Sequence, residues 1–365
     1  MEWLLMKLRH LFGLPVLVLL VPCMPSQAEQ GIRIYGTIGD QAIDMTFRPP
    51  ASTARVRPPM PEIKAPVMFG SPQADRIVEA MQIYPPDNPW NEDISALPVH
   101  PNSAKMLAAM NPTRHLYFNL DMGYVLVPPD QKRVPVKIID YGGESDPGPY
   151  PLPDNATIEG WPLGFPGKTL DDAQRHGEGD RHSVVVDPVN GKLYEFYTLR
   201  KTDAGWQAAQ ASIFDLKSNK LRPDGWTSTD AAGLPLFPAA VRYDEVERGM
   251  VEHALRVTFA HTRRDYVYPA THFASRLEDP NLPRMGERLR LRQNVDISGF
   301  SPHLQAILKG LKKYGMIVAD NGVDWMISIT PDSRFKGLEE MNRLHGQDFE
   351  IVKTTGPDEG PRARP

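Results

Sequence analysis

Cysteine is almost missing from this 365-residue chain: Cys23 is the only one. A single thiol forms no internal disulfide, so the fold has to be held by an ordinary apolar core, for which a chain of this length is sufficient. An excess of basic charge is also lacking. Lys and Arg number 41 against 45 Asp and Glu, for a net charge of −4. That balance supplies neither the field that nucleic acid requires nor a polybasic patch for anionic lipid, so no nucleic-acid partner is expected. Long apolar runs are absent too. The run Leu11 to Val21 is far shorter than the roughly 20 residues that span a bilayer. There is no H-E-x-x-H, G-x-S-x-G, Walker loop or G-x-G-x-x-G, and the histidines are not spaced as a ligand set, so neither a cofactor nor a metal is expected.

What is present begins with a secretory signal. Lys7, Arg9 and His10 precede the apolar run, and Ser26-Gln27-Ala28 offers small residues for cleavage. A basic head, a short apolar core and such an end are what export requires, so the protein is expected in the periplasm or secreted, with residues 1–28 removed and no integral membrane segment left. A lipid anchor on Cys23 is disfavoured because Pro22 stands where a small residue is needed. The 37 prolines and 28 glycines suggest a turn-rich, mainly β chain, with α+β as the other option.

Along the chain, residues 29–48 read as a short β segment, a hairpin around Gly39-Asp40. Residues 49–72 are crowded with proline and read as an extended tether. The main β-rich domain is expected over 73–353, and a polar, loose tail over 354–365. The clearest hairpin runs Ser183 to Asp187, turns at Asn190-Gly191 and returns from Lys192 to Tyr197. Asn102 starts a short helix ending at Met110, and Tyr141 to Asp171 is a long loop of the kind that is often functional. Ser301, Pro302 and Gly315 bound a helix with Leu304, Ile307, Leu308, Leu311 and Tyr314 on one stripe. Met316 to Ala319 and Trp325 to Ile329 read as another hairpin, followed by a short helix at Leu338 to Leu344 and a last strand at Phe349 to Val352. The expected architecture is a twisted antiparallel sheet or β-sandwich with one or two packed helices.

Three constellations carry candidate chemistry. Pairing Asp187 with Lys192 sets Val184 opposite Glu195 and His182 opposite Tyr197, so His182, Glu195 and Tyr197 share one face. Such groups suit acid–base work or binding of sugar hydroxyls, and equally a structural ion pair. The second is Arg242 and Asp244, followed by Glu245, Glu247 and His253. These read either as paired acids of a glycoside hydrolase or as a solvated acidic turn. The third is Tyr268 with His272, where aromatic rings in front of a histidine offer a stacking wall; Trp206 and Trp226 extend that wall or serve as core anchors.

Several of these segments resemble a family of secreted bacterial proteins that often accompany carbohydrate-degrading modules. The resemblance rests on Asp180-Arg181-His182, Leu193-Tyr194-Glu195, Arg222 to Ser228 with Asp230 to Pro235, and Arg242 to Glu245. It also includes His253 to Arg256, Pro269 to His272, Met285-Gly286, Asp296 to Ser301 and Ala319 to Gly322. It covers the chain from about Pro85 to Val352 and implies that the scattered polar positions belong to one site. The function expected is action on an extracellular or envelope polysaccharide, as a glycoside hydrolase or polysaccharide lyase. His182, Glu195, Asp244, His253 and His272 are the candidate catalytic groups, and Tyr197, Trp206, Trp226, Arg242 and Tyr268 the candidate substrate-binding groups. The other reading is a non-catalytic glycan-binding or envelope-scaffold protein.

Overall fold

The computed structural model describes the backbone of residues 32–38 and 41–47, and residues 55–354 and 356. The signal at 1–28, the first part of the expected tether and nearly all of the tail lie outside the described residues. The chain divides into two compact units, Met1–Val56 and Arg57–Pro365. In the first, Ile32–Ile38 pairs antiparallel with Gln41–Phe47, with Ile38 opposite Gln41, as the turn at Gly39-Asp40 predicts.

The second unit starts earlier than the sequence suggests. Over 57–72 the chain is not a tether: Ile63 is buried, and Val67–Met68 pairs with Tyr124–Leu126 as an edge strand. Prolines are compatible with this because an edge strand needs few backbone donors. Three sheets follow. One has five strands in the order Gln210–Asp215, Lys192–Tyr197, Ser183–Asp187, Tyr124–Leu126, Val67–Met68. Another has six, in the order Phe349–Ile351, Arg288–Leu291, Met316–Asn321, Leu255–Phe259, Met326–Ile329, Tyr117–Leu120. The third joins Val136–Ile138, Gly205–Ala208 and Arg200–Thr202. Helices are few, so the fold is a β-rich α+β arrangement, and each sheet is mixed rather than antiparallel. Tyr124–Leu126 runs parallel to Ser183–Asp187, and Leu255–Phe259 parallel to Met316–Asn321. The long segments between these strands supply the crossovers that parallel neighbours require.

The central hairpin has the register read from the sequence, Asp187 opposite Lys192 and Val184 opposite Glu195. Its turn is fixed by Asp187, whose carboxylate accepts from the Asn190 backbone and side-chain amides at 2.9 and 2.7 Å, and by Gly191 at φ +67°. The run of three valines follows from burial on both faces. Val184, Val186 and Leu193 face the main core, whereas Val185, Tyr194 and Phe196 face a second core that the three-stranded sheet covers with Trp206 and Ala208.

The expected hairpin of Met316–Ala319 with Trp325–Ile329 is split. Leu255–Phe259 lies between them, paired with both neighbours. All five of its residues are buried, and a strand buried on both sides is most stable at the middle of a sheet. The helix Pro302–Lys313 lies where its apolar stripe predicts, with Leu304, Ile307, Leu308 and Leu311 fully buried; each contributes about 1.5–3 kcal/mol. Gly315 ends it at φ +68°, its N–H bonded back to the Gly310 carbonyl. Ser301 stands at the cap, but its side chain makes no cap hydrogen bond. Among the described residues no helix is long and apolar enough to cross a membrane.

Candidate functional site

The site forms where the two larger sheets bring their ends together. Tyr197 closes the strand Lys192–Tyr197, and His182 stands just before Ser183–Asp187; their rings are 5.5 Å apart. Asp320 and Asn321 come from the end of Met316–Asn321 in the other sheet. Thr227 to Thr229, His272 and the loop residues Tyr141 and Glu144 complete the wall, and Asp180 stands at the rim. The cleft is open to the surface and has a volume of about 330 Å³. Among the described residues no lysine or arginine lines it. A larger cavity of about 520 Å³, between Phe69, Phe118, Trp161 and Phe335, is mainly apolar. One of its two acids, Asp332, is already paired with Arg334.

A β-bulge orients Asp320. Val257 opposes Val318, but the next residue, Thr258, opposes Asp320, leaving Ala319 as the extra residue. A bulge re-aims the side chains beyond it, and here the strand stays in the core through Ala319 and presents Asp320 to the cleft. Beside Asp320, within hydrogen-bonding reach, is the fully buried Asp230. Arg256 grips Asp230 through two hydrogen bonds, Nε to Oδ2 at 2.8 Å and Nη2 to Oδ1 at 2.5 Å, and its third arm donates to Ser328. Burial and the neighbouring Asp230 push the Asp320 carboxyl well above the usual carboxylate range, against the opposing pull of Arg256. A carboxyl that is both pushed up and open to a cleft is suited to proton donation.

The loop over this pair is tightly set. Ser228 donates to the carbonyls of Asp230 and Leu234, and Gly233, at φ +74°, runs so close to Thr271 and Trp226 that a Cβ there would overlap them. Glu144 accepts from the Thr227 amide at 2.8 Å. On the opposite wall, Arg181 has φ +51°, a conformation costly for a residue with a side chain. Its guanidinium donates to four main-chain carbonyls, those of Leu199, His176, Ala173 and Gln174. That clamp offsets the cost and holds Asp180 and His182 on either side of it toward the cleft.

Of the sequence candidates, His182, Tyr197 and His272 do meet in the cleft. The others do not line it. Glu195 is fully buried behind the wall and accepts from the Leu236 and Phe237 amides and the Thr229 hydroxyl. Burial raises its carboxyl to about 7, against the opposing effect of those hydrogen bonds. It shares a strand face with Tyr197, as the register predicts, but that face turns into the core before the cleft opens. Arg242, Asp244 and His253 form a second, closed cluster with Glu245. Arg242 pairs with Glu245, the His253 ring is 3.1 Å from the same carboxylate, and Asp244 pairs with Arg248. Burial works against ionisation of Glu245, yet Arg242, His253 and Arg248 hold its carboxyl down at about 2; Asp244 is raised by burial and by Glu245. The charges of this cluster are paired within it, and it does not reach the cleft.

The tryptophans are structural as well. Trp206 is buried in the second core, and Trp226 has Arg222 over its ring at 5.5 Å. Tyr268 lies outside the lining, where His272 instead stacks on Phe273. Sequence reasoning missed Tyr141, Glu144, Asp180, Asp320 and Asn321 as site residues. Tyr141 and Glu144 lie in the long loop, and Asp180 and Asp320-Asn321 at strand margins, and only the fold brings them together.

The fold also gathers a group invisible in histidine spacing. One donor atom each from Glu159, Asp180 and His182 lie within 4.8 Å of one another. Comparison with known proteins finds no matching family model, no similar curated protein and no similar solved structure.

Proposed function

We propose that this is an exported glycoside hydrolase acting on an extracellular or envelope polysaccharide. The observation that carries the reading is the Asp320 carboxyl, pushed up beside buried Asp230 and open to a cleft that also holds Glu144. Glycosidic hydrolysis needs one carboxylic acid to protonate the departing oxygen and a second carboxyl to assist attack. Asp320 gives its proton to the glycosidic oxygen as the carbon–oxygen bond breaks. Glu144 takes a proton from the attacking water, whose oxygen bonds to the sugar carbon. His182, His272, Thr229 and Asn321 offer hydrogen bonds to sugar hydroxyls, and the Tyr197 ring gives a flat surface for a pyranose.

Hydrolysis is favoured over elimination by charge. A lyase acts on uronate chains and has to neutralise the substrate carboxylate, whereas this cleft holds three carboxyls and, among the described residues, no lysine or arginine in its lining. A neutral or amino-bearing glycan suits it better. The test is release of reducing ends across a panel of neutral, amino and uronate glycans, with wild type beside Asp320→Asn and Glu144→Gln. Hydrolysis of a neutral or amino glycan that both variants lose supports the proposal. Wild type inert throughout, or variants as active as wild type, overturns it. Binding without cleavage, unchanged in Asp320→Asn, would instead identify a glycan-binding protein.

A further inference from the structure

The imidazole of His182 is poorly explained by structure alone. The residue is 5% exposed, and its Nδ1 is buried with no hydrogen-bond partner. A buried nitrogen left unpaired costs on the order of 1–3 kcal/mol, and nearly all such atoms are satisfied in folded proteins. Around it, the chain is arranged with care. The Glu159 amide donates to the His182 carbonyl at 2.7 Å, and a Glu159 carboxylate oxygen accepts from the His182 amide at 3.3 Å. Asp180 accepts from the Tyr197 hydroxyl at 3.3 Å. Between Asp180 and His182 is the strained Arg181, anchored by its four hydrogen bonds.

We infer that Glu159, Asp180 and His182 bind a divalent transition-metal ion at the rim of the cleft. One imidazole nitrogen and two carboxylates form a mixed nitrogen–oxygen set suited to Zn²⁺ or Mn²⁺, and less suited to Ca²⁺, which takes oxygen ligands. Ligands about 2.1 Å from a tetrahedral zinc ion lie roughly 3.4 Å apart. The donor atoms all lie within 4.8 Å of one another, so no pair has more than about 1.4 Å to close on binding, a movement within reach of the exposed Asp180 side chain. Three protein ligands leave a position open for water or a sugar hydroxyl, and the lining places Asp180 and His182 against the same space as Tyr197. The ion would bring to the rim a positive charge that the lining side chains lack, and its binding is measured without substrate, so this test stands apart from that of the hydrolase reading.

The experiment is isothermal titration of the chelator-treated full chain with ZnCl₂, MnCl₂ and CaCl₂, paired with thermal unfolding at saturating ion. Wild type is expected to bind one equivalent of Zn²⁺ or Mn²⁺ more tightly than Ca²⁺, and to melt at a higher temperature with the ion. Asp180→Asn and Glu159→Gln should each weaken binding by about tenfold or more, and His182→Gln should do likewise. A His261→Gln variant, at an exposed histidine, should bind as wild type does. No saturable transition-metal binding by wild type, or unchanged binding in Asp180→Asn and Glu159→Gln, overturns the inference. Those two variants alter residues on or near the surface and keep the test decisive if His182→Gln fails to fold.

Discussion

Arg256 holds both oxygens of Asp230 from a strand in the middle of the six-stranded sheet, at 2.8 and 2.5 Å. Both side chains are almost completely buried. The pair thus fixes a negative charge immediately behind Asp320. Removing one member leaves the other buried and unpaired, which costs about 3–5 kcal/mol. Asp230→Asn and Arg256→Leu are each expected to lower stability by that order in urea unfolding. The double variant Asp230→Asn/Arg256→Leu should recover part of the loss.

Asp320 makes a prediction about pH. Its folded-state pKa lies above the unfolded value, so across that window the native state holds a proton that the unfolded chain has released. The stability contributed by this group therefore falls as pH rises from the usual carboxylate range through the raised folded value. Asp320→Asn removes the penalty, so its melting temperature should exceed that of wild type at pH 8 and approach it near pH 4. The same variant should lose about 10²–10⁴-fold in hydrolysis. A variant that is equally active, or less stable at pH 8, contradicts the assignment.

Glu195 separates structure from chemistry. Its oxygens accept from two backbone amides and one hydroxyl. Glu195→Ala would leave those donors buried without an acceptor, and should cost about 2–4 kcal/mol in denaturant unfolding. Its main effect should be on stability, with a smaller loss in turnover by the folded fraction than Asp320→Asn shows.

Gly233→Ala tests the loop above the acid pair. At φ +74° an added Cβ would lie 2.0 Å from the Thr271 hydroxyl oxygen and 2.7 Å from the Trp226 carbonyl oxygen. The strain and overlap together should destabilise by about 2 kcal/mol or more, read as a lowered melting temperature.

Local pattern made the central hairpin legible, because Asn190-Gly191 and the alternating strands leave one good register. The helix at Pro302 was legible for a similar reason: its stripe, start and stop all agree. Strand order was not, since nothing in Met316–Ala319 and Trp325–Ile329 reports that Leu255–Phe259 will insert between them. The site was half legible. His182 and Tyr197 were visible as polar groups at strand ends and His272 as a histidine behind aromatic rings, whereas Asp320, just past the expected strand Met316 to Ala319, was not, because one bulge decides its direction. Glu195, Asp244 and His253 misled for the opposite reason. A buried ion cluster and a catalytic one use the same residue types, and only solvent access tells them apart.

The extra residue at Ala319 separates two tasks within one strand. Met316, Ile317 and Val318 stay locked in the packing while the register change is absorbed at a single small residue. Beyond it, position 320 is released from the strand's alternation and lies between the buried Asp230 and the cleft. Packing and aim are thus set by different residues of one strand: the first three fill the core, and the inserted alanine decides which way the acid faces.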